Sequence, residues 1–230
     1  MPNKTVLITG ANKGIGFEIA RQLGHLDFKV FLAARDEQRG QQAESKLKAE
    51  NLDVQFIQLD VTNIDSIKSA YDKISTQCSH LDVLINNAAI QLDKSNILDM
   101  PISVLQKTIE TNVYGVIEVT KRFYPLMKKD GRIINISSQL GSLSSMGSYA
   151  PAYSISKTTL NAVTRQFSSA LSNLGISVNS VHPGWVRTDM GGKQAPLSVD
   201  KGAETAVWLA SEAPHSLTGK FFYEKKEMDW

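Results

Sequence analysis

Tyr153 and Lys157 stand four residues apart, so on a helix they occupy one face and can share one site. A phenol titrates near about 10 and is a sluggish acid at neutral pH. An ammonium a few ångströms away favours the phenolate, lowers that pKa and makes the phenol a usable proton donor. Ser138 ends the run Arg132-Ile133-Ile134-Asn135-Ile136-Ser137-Ser138, fifteen positions upstream, and would bring an alcohol to the same place. Tyr149 is a rival phenol, but position 153 is not a lysine, so it has no cationic partner at that spacing. A Tyr-x-x-x-Lys pair is also found by chance on helix surfaces, so the surrounding elements must decide.

Those elements begin at once. Thr5-Val6-Leu7-Ile8-Thr9 reads as a strand buried on both faces. Gly10-Ala11-Asn12-Lys13-Gly14-Ile15-Gly16 follows, then apolar residues at helical spacing, Ile15, Ile19, Leu23 and Leu26. Strand, glycine-rich turn and helix N-terminus together make an anion site suited to a pyrophosphate. A second strand, Lys29 to Ala34, ends at Arg35-Asp36, where a nucleotide-binding βαβ unit meets the adenosine ribose. An acid at that tip would select NAD. Arg35 there, with Arg39 and Lys13, instead suits the 2′-phosphate of NADP. Asp36 is one residue late for the ribose and points elsewhere.

A polar helical stretch over 36–50 leads to a third strand, Val54 to Val61, with Asp60 placed to meet the adenine rim. After a helix marked by Ile64, Ile67, Tyr71 and Ile74 comes a fourth strand, Leu81 to Ile85. It runs into Asn86-Asn87-Ala88-Ala89, small and amide residues that permit close approach of a cofactor and can pin a turn. The strict alternation predicts an α/β fold with a doubly wound parallel sheet of seven strands, a Rossmann fold in one domain over 1–230. The pattern over 104–127 is helical with a break near Thr111-Asn112. Asn112 is polar on an apolar face, either a kink satisfied locally or a group held near the catalytic pair. Strand six, Ile176 to Val181, ends in His182-Pro183-Gly184-Trp185-Val186-Arg187-Thr188. A helix near 200–211 and a last strand around Lys220 to Tyr223 close the pattern. Gly191 and Gly192 suggest that the loop before that helix moves.

In this order and spacing the motifs resemble the classical short-chain dehydrogenase/reductases, and among them the NADPH-dependent carbonyl reductases. The carriers are Thr9-Gly10-x-x-x-Gly14-Ile15-Gly16, Asp60-Val61, Asn86-Asn87-Ala88, Asn112, Ser138, Tyr153-x-x-x-Lys157 and Pro183-Gly184. The resemblance implies reduction of an aldehyde, ketone or quinone. Tyr153 would protonate the nascent alkoxide, Lys157 would hold the nicotinamide ribose, Ser138 would bond the carbonyl, and Asn112 would hold a proton-relaying water. Gly10, Asn12, Lys13, Gly14, Ile15, Gly16, Arg35, Arg39, Asp60, Val61, Asn87, Ala88, Tyr153, Lys157, Pro183, Gly184, Val186 and Thr188 would contact NADP(H). Ser138, Leu140, Tyr153 and Trp185 would line the substrate pocket. Monomeric carbonyl reductases carry a long insertion before the catalytic tyrosine that covers a helix surface. Its lack here leaves the helices around 113–127 and 154–171 free to pair, which implies a homodimer or homotetramer. A nucleotide sensor without turnover, or the same site run as an alcohol dehydrogenase, are the other readings.

Composition narrows the partners. A net charge of +2 on 230 residues is too small to argue for nucleic acid or an anionic membrane. The one cysteine, Cys78, excludes an intramolecular disulfide and suits a reducing compartment. Histidines 25, 80, 182 and 215 have no ligand spacing, so no metal is expected. Met1-Pro2-Asn3-Lys4 runs straight into the first strand with no signal-peptide pattern, and no apolar run is long enough to span a bilayer. A cytoplasmic protein is the expectation.

Overall fold

Side chains alternate across a strand, and the first strand shows what that does here. Val6 and Ile8 pack with one apolar cluster while Leu7 packs with another on the opposite face. A computed structural model describes residues 4–230; Met1 to Asn3, on which the leader expectation rests, lie outside the described residues. The strands are β1 (Thr5–Thr9), β2 (Lys29–Ala34), β3 (Val54–Gln58), β4 (Leu81–Asn86), β5 (Met127–Ile136), β6 (Ser177–Val181), β7 (Phe221–Tyr223) and β8 (Lys226–Glu227). They form one sheet in the order β3-β2-β1-β4-β5-β6-β7-β8, parallel as far as β7.

The helices are α1 (Gly14–His25), α2 (Glu37–Lys48), α3 (Ile64–Ser75), α4 (Ile102–Ile109), α5 (Gly115–Phe123), α6 (Pro151–Ala170) and α7 (Val199–Ser211). Apolar residues of α1, α2 and α7 cover one sheet face, those of α3 and α5 the other. The strand order reverses between β1 and β4, which opens a crevice at their carboxyl ends, where α/β folds bind ligands.

Three expectations need correction. The sheet has eight strands, because β8 folds back antiparallel on β7 through Glu224 and Lys225, both at positive φ. That is a tight hairpin turn, normally signalled by Asn-Gly, and Glu-Lys hides it. The helix over 104–127 is not broken at Asn112; Glu110–Tyr114 widens into a π-helical turn between α4 and α5. It also stops at Phe123, because Pro125 cannot donate to a continuing helix.

Candidate active site

The crevice is built by close backbone packing. Gly10 lies at φ 63°, and a Cβ on it would meet Ala88 Cα at 2.8 Å. A Cβ on Gly16 would meet Asn87 Nδ2 at 2.3 Å. Asn87 explains both, since its amide donates to the carbonyls of Thr9 and Gly10, each at 2.9 Å, and staples β1 to β4. Two glycines read as making room for a cofactor thus also make room for Asn87 and Ala88. Ile15 packs against the core beneath.

The N-terminus of α1 has no side-chain cap and no acid in its first turn, so its leading N–H groups are available to an anion. Thr188 stands over this turn, 3.5 Å from where a Gly14 Cβ would lie. Lys13 is ion-paired with Asp189 at 2.6 Å, and the Arg39 charge also acts on Asp189 and helps hold its carboxyl below the usual range. Arg39 further lies 3.7 Å from Asp36, which caps α2 through the Arg39 N–H. Lys13 and Arg39 therefore gather around an acid, while Arg35 is exposed with no ion pair among the described residues. Asp60 holds Thr62 with its carboxylate, and Val61 lies against Gly115, whose Cβ would be 2.9 Å away.

At the other end of the crevice the three expected groups meet. Tyr153 on α6 is buried, and the Ser138 side chain lies near enough to its phenol to pull the phenol's pKa down. Ser138 Oγ accepts from the Leu140 N–H at 3.2 Å, which leaves its own proton free to donate. Lys157, 2% exposed, sits with Nζ 5.5 Å from the Tyr153 ring centroid and donates to the Ile136 carbonyl at 2.7 Å. Gly141 permits this, since a Cβ there would lie 2.7 Å from the Lys157 carbonyl carbon.

The electrostatics differ from the sequence expectation. Burial pushes the Tyr153 phenol up to about 12, with Ser138 pulling the other way, and pushes the Lys157 ammonium down to about 7. Desolvation of the phenol, not the nearby amine, sets the direction of its shift. An ammonium with three donors and one protein partner is suited to bind hydroxyls, as a ribose presents.

Asn112 is fully buried in the π turn. Its Oδ1 accepts from the Ile90 N–H at 2.8 Å, and its Nδ2 donates to the Ile90 carbonyl at 2.9 Å and to Ser156 Oγ at 3.0 Å. The side chain thus fixes a loop against α6 rather than standing free.

Beyond β6, Pro183 and Gly184 turn the chain, with Gly184 at φ 85°. Val186 is buried, Trp185 is 57% exposed, and Leu140 is half-buried. Trp185 Nε1 donates to the Gly191 carbonyl at 2.8 Å, and Arg187 donates to those of Ala195 and Pro196. Gly191 is a tight-packing position, since its Cβ would fall 2.0 Å from the Val186 carbonyl oxygen, whereas Gly192, at φ 78°, has open space around it. Sequence reasoning missed Asp93, whose carboxylate accepts from Ala152 N–H on α6, and His182, stacked on Tyr223 with ring centroids 4.7 Å apart. It also missed Trp230, whose carbonyl accepts from the N–H of Leu143 in the loop after Ser138. No short-range pattern announces any of the three.

A family model for short chain dehydrogenases matches residues 4–197. The chain belongs to that family. Among its relatives is carbonyl reductase [NADPH] 1 of the mouse, Mus musculus, 35% identical over 97% of each chain. The human protein of that name, from Homo sapiens, is 33% identical with the same coverage. The mouse alignment runs over 274 positions against a chain of 230, so that relative carries stretches with no counterpart here. The crystal structure of NADPH-bound carbonyl reductase from chicken fatty liver superposes with a TM-score of 0.91 at 31% identity, covering 100% of each chain. Salutaridine reductase from Papaver somniferum gives 0.85 at 29% identity over 96% of this chain and 100% of that one.

Proposed function

We propose that this protein is an NADPH-dependent reductase of small carbonyl compounds, with Tyr153 as the general acid. The observation that carries the reading is the meeting of a buried phenol, an alcohol and a buried amine at the edge of the nucleotide crevice. The relatives named carbonyl reductase [NADPH] and the NADPH-bound neighbour support the cofactor and reaction class. When bound, NADPH supplies the hydride. The free donors at the start of α1 would take the pyrophosphate, Arg35 the 2′-phosphate, and Lys157 the nicotinamide ribose. Ser138, whose proton is free, orients the substrate oxygen beside Tyr153. A phenol held near 12 is protonated at every working pH, the state from which it can donate to an oxygen becoming an alkoxide. Any water held by Asn112 would use its main-chain carbonyl, since the amide is committed.

The test is NADPH consumption with a panel of aldehydes, ketones and quinones. Turnover of none of them would instead favour a nucleotide sensor, which needs no proton donor. The same residues serve the reverse oxidation, since the proton transfer is reversible. We also infer self-association through α5 and α6, supported by the 60% exposure of Tyr114 beside α5. A monomeric mass in light scattering at micromolar concentration would refute it.

A further inference from the structure

We propose that Asp93 is a positioning residue for Tyr153, its buried carboxylate fixing the start of the helix that carries the phenol. The inference rests on the reading of Tyr153 as the proton donor. Helix α6 begins without a cap of its own. Ala150 precedes it in the left-handed region at φ 50°, with no side chain to offer, and Pro151 has no N–H. The first donor needing a partner is the Ala152 N–H, one residue before Tyr153. It donates to Asp93 Oδ2 at 2.7 Å, across 59 positions of sequence.

Asp93 is only 5% exposed, and its Oδ1 is buried with no partner among the described residues. Burying a charge in this way is costly, and the positive end of a 20-residue helix is what offsets it.

The other end of the same segment is tied as well. Ile90 gives both its main-chain groups to Asn112, Asn112 Nδ2 bonds Ser156 Oγ, and Ser156 Oγ donates to the Tyr153 carbonyl at 2.7 Å. Residues 90–93 are thus clamped to α6 directly through Asp93 and indirectly through Asn112. The first turn, with Tyr153 in it, lies between the two clamps. Releasing the Asp93 end lets that turn fray and shifts the phenol relative to Ser138. A misplacement of about 1 Å is enough to cost on the order of 100-fold in rate.

The experiment compares Asp93→Ala and Asp93→Asn in the full chain. The alanine variant is expected to lose tenfold or more in kcat while its NADPH Kd stays within twofold. Asparagine, which keeps an acceptor for Ala152, recovers most of that kcat. Amide exchange by mass spectrometry is expected to quicken at least tenfold for the peptide holding Ala152 and Tyr153 in the alanine variant, and not in the asparagine one. An alanine variant with wild-type kcat and exchange overturns the proposal. So does a fall in NADPH affinity equal to the fall in kcat, or asparagine behaving as alanine does. If the alanine variant does not fold, Asp93→Ser, polar but too short to reach, is read in its place with the same outcomes. Exchange needs no substrate, so a wild-type protein inert to every carbonyl refutes the role of Tyr153, and exchange alone then decides for or against the clamp.

Discussion

Replacing Lys157 by methionine should make the protein more stable and inactive at once. Burial pushes the ammonium from 10.5 down to about 7. At about 1.4 kcal/mol for each pH unit, holding the charged form in the fold costs roughly 4 to 5 kcal/mol. The native state binds fewer protons than the unfolded chain between those values, so the penalty is complete below about pH 7. It shrinks as pH rises and is gone above 10.5. Methionine matches the stem of lysine and removes the penalty, but leaves the Ile136 carbonyl without its 2.7 Å donor, a loss of about 1 to 3 kcal/mol. The net expectation is a gain of about 1 to 4 kcal/mol at pH 7, read as a higher urea midpoint, with the gain falling away by pH 10. A variant less stable than wild type at pH 7, or a difference independent of pH, would refute the reasoning. Such a gain at the expense of activity is expected where a buried charge is kept for function.

Two further outcomes follow from the same geometry. Burial holds His182 at about 4, and its Nδ1 accepts from the Gly184 N–H at 3.2 Å. The unfolded chain therefore binds more protons between pH 4 and 6.5, and stability should fall by up to roughly 3 kcal/mol across that window as pH drops. Denaturation of His182→Gln at both ends of the window should show a flatter acid limb, and an unchanged slope would exclude His182 as its source. Arg35→Ala should weaken NADPH far more than NADH, by about 1.5 to 3 kcal/mol for a charge-assisted contact. Equal losses for both cofactors, measured by fluorescence titration, would remove Arg35 from the 2′-phosphate.

The legible part of this fold is local and periodic. Strands buried on both faces and the glycine turn at residues 10–16 announce the crevice, and the spacing of Tyr153 and Lys157 survives folding because a helix fixes it. Long-range placement was not legible. Asp93 reaches Ala152 across a loop whose path no propensity dictates, and Asn112 spends its amide on Ile90, a partner only the folded chain supplies. The sign of the Tyr153 shift failed for the same reason. Proximity of a cation is readable from spacing, whereas the burial that raises the phenol is set by the packing of distant elements.

Tyr153→Phe tests the central claim most directly, because it removes one proton donor and leaves the ring that packs beside Lys157. With NADPH and any carbonyl that the wild type reduces, the variant should bind NADPH within about twofold of wild type and lose at least about 100-fold in kcat. Turnover within a few-fold of wild type would contradict the account, since the proton would then come from another group.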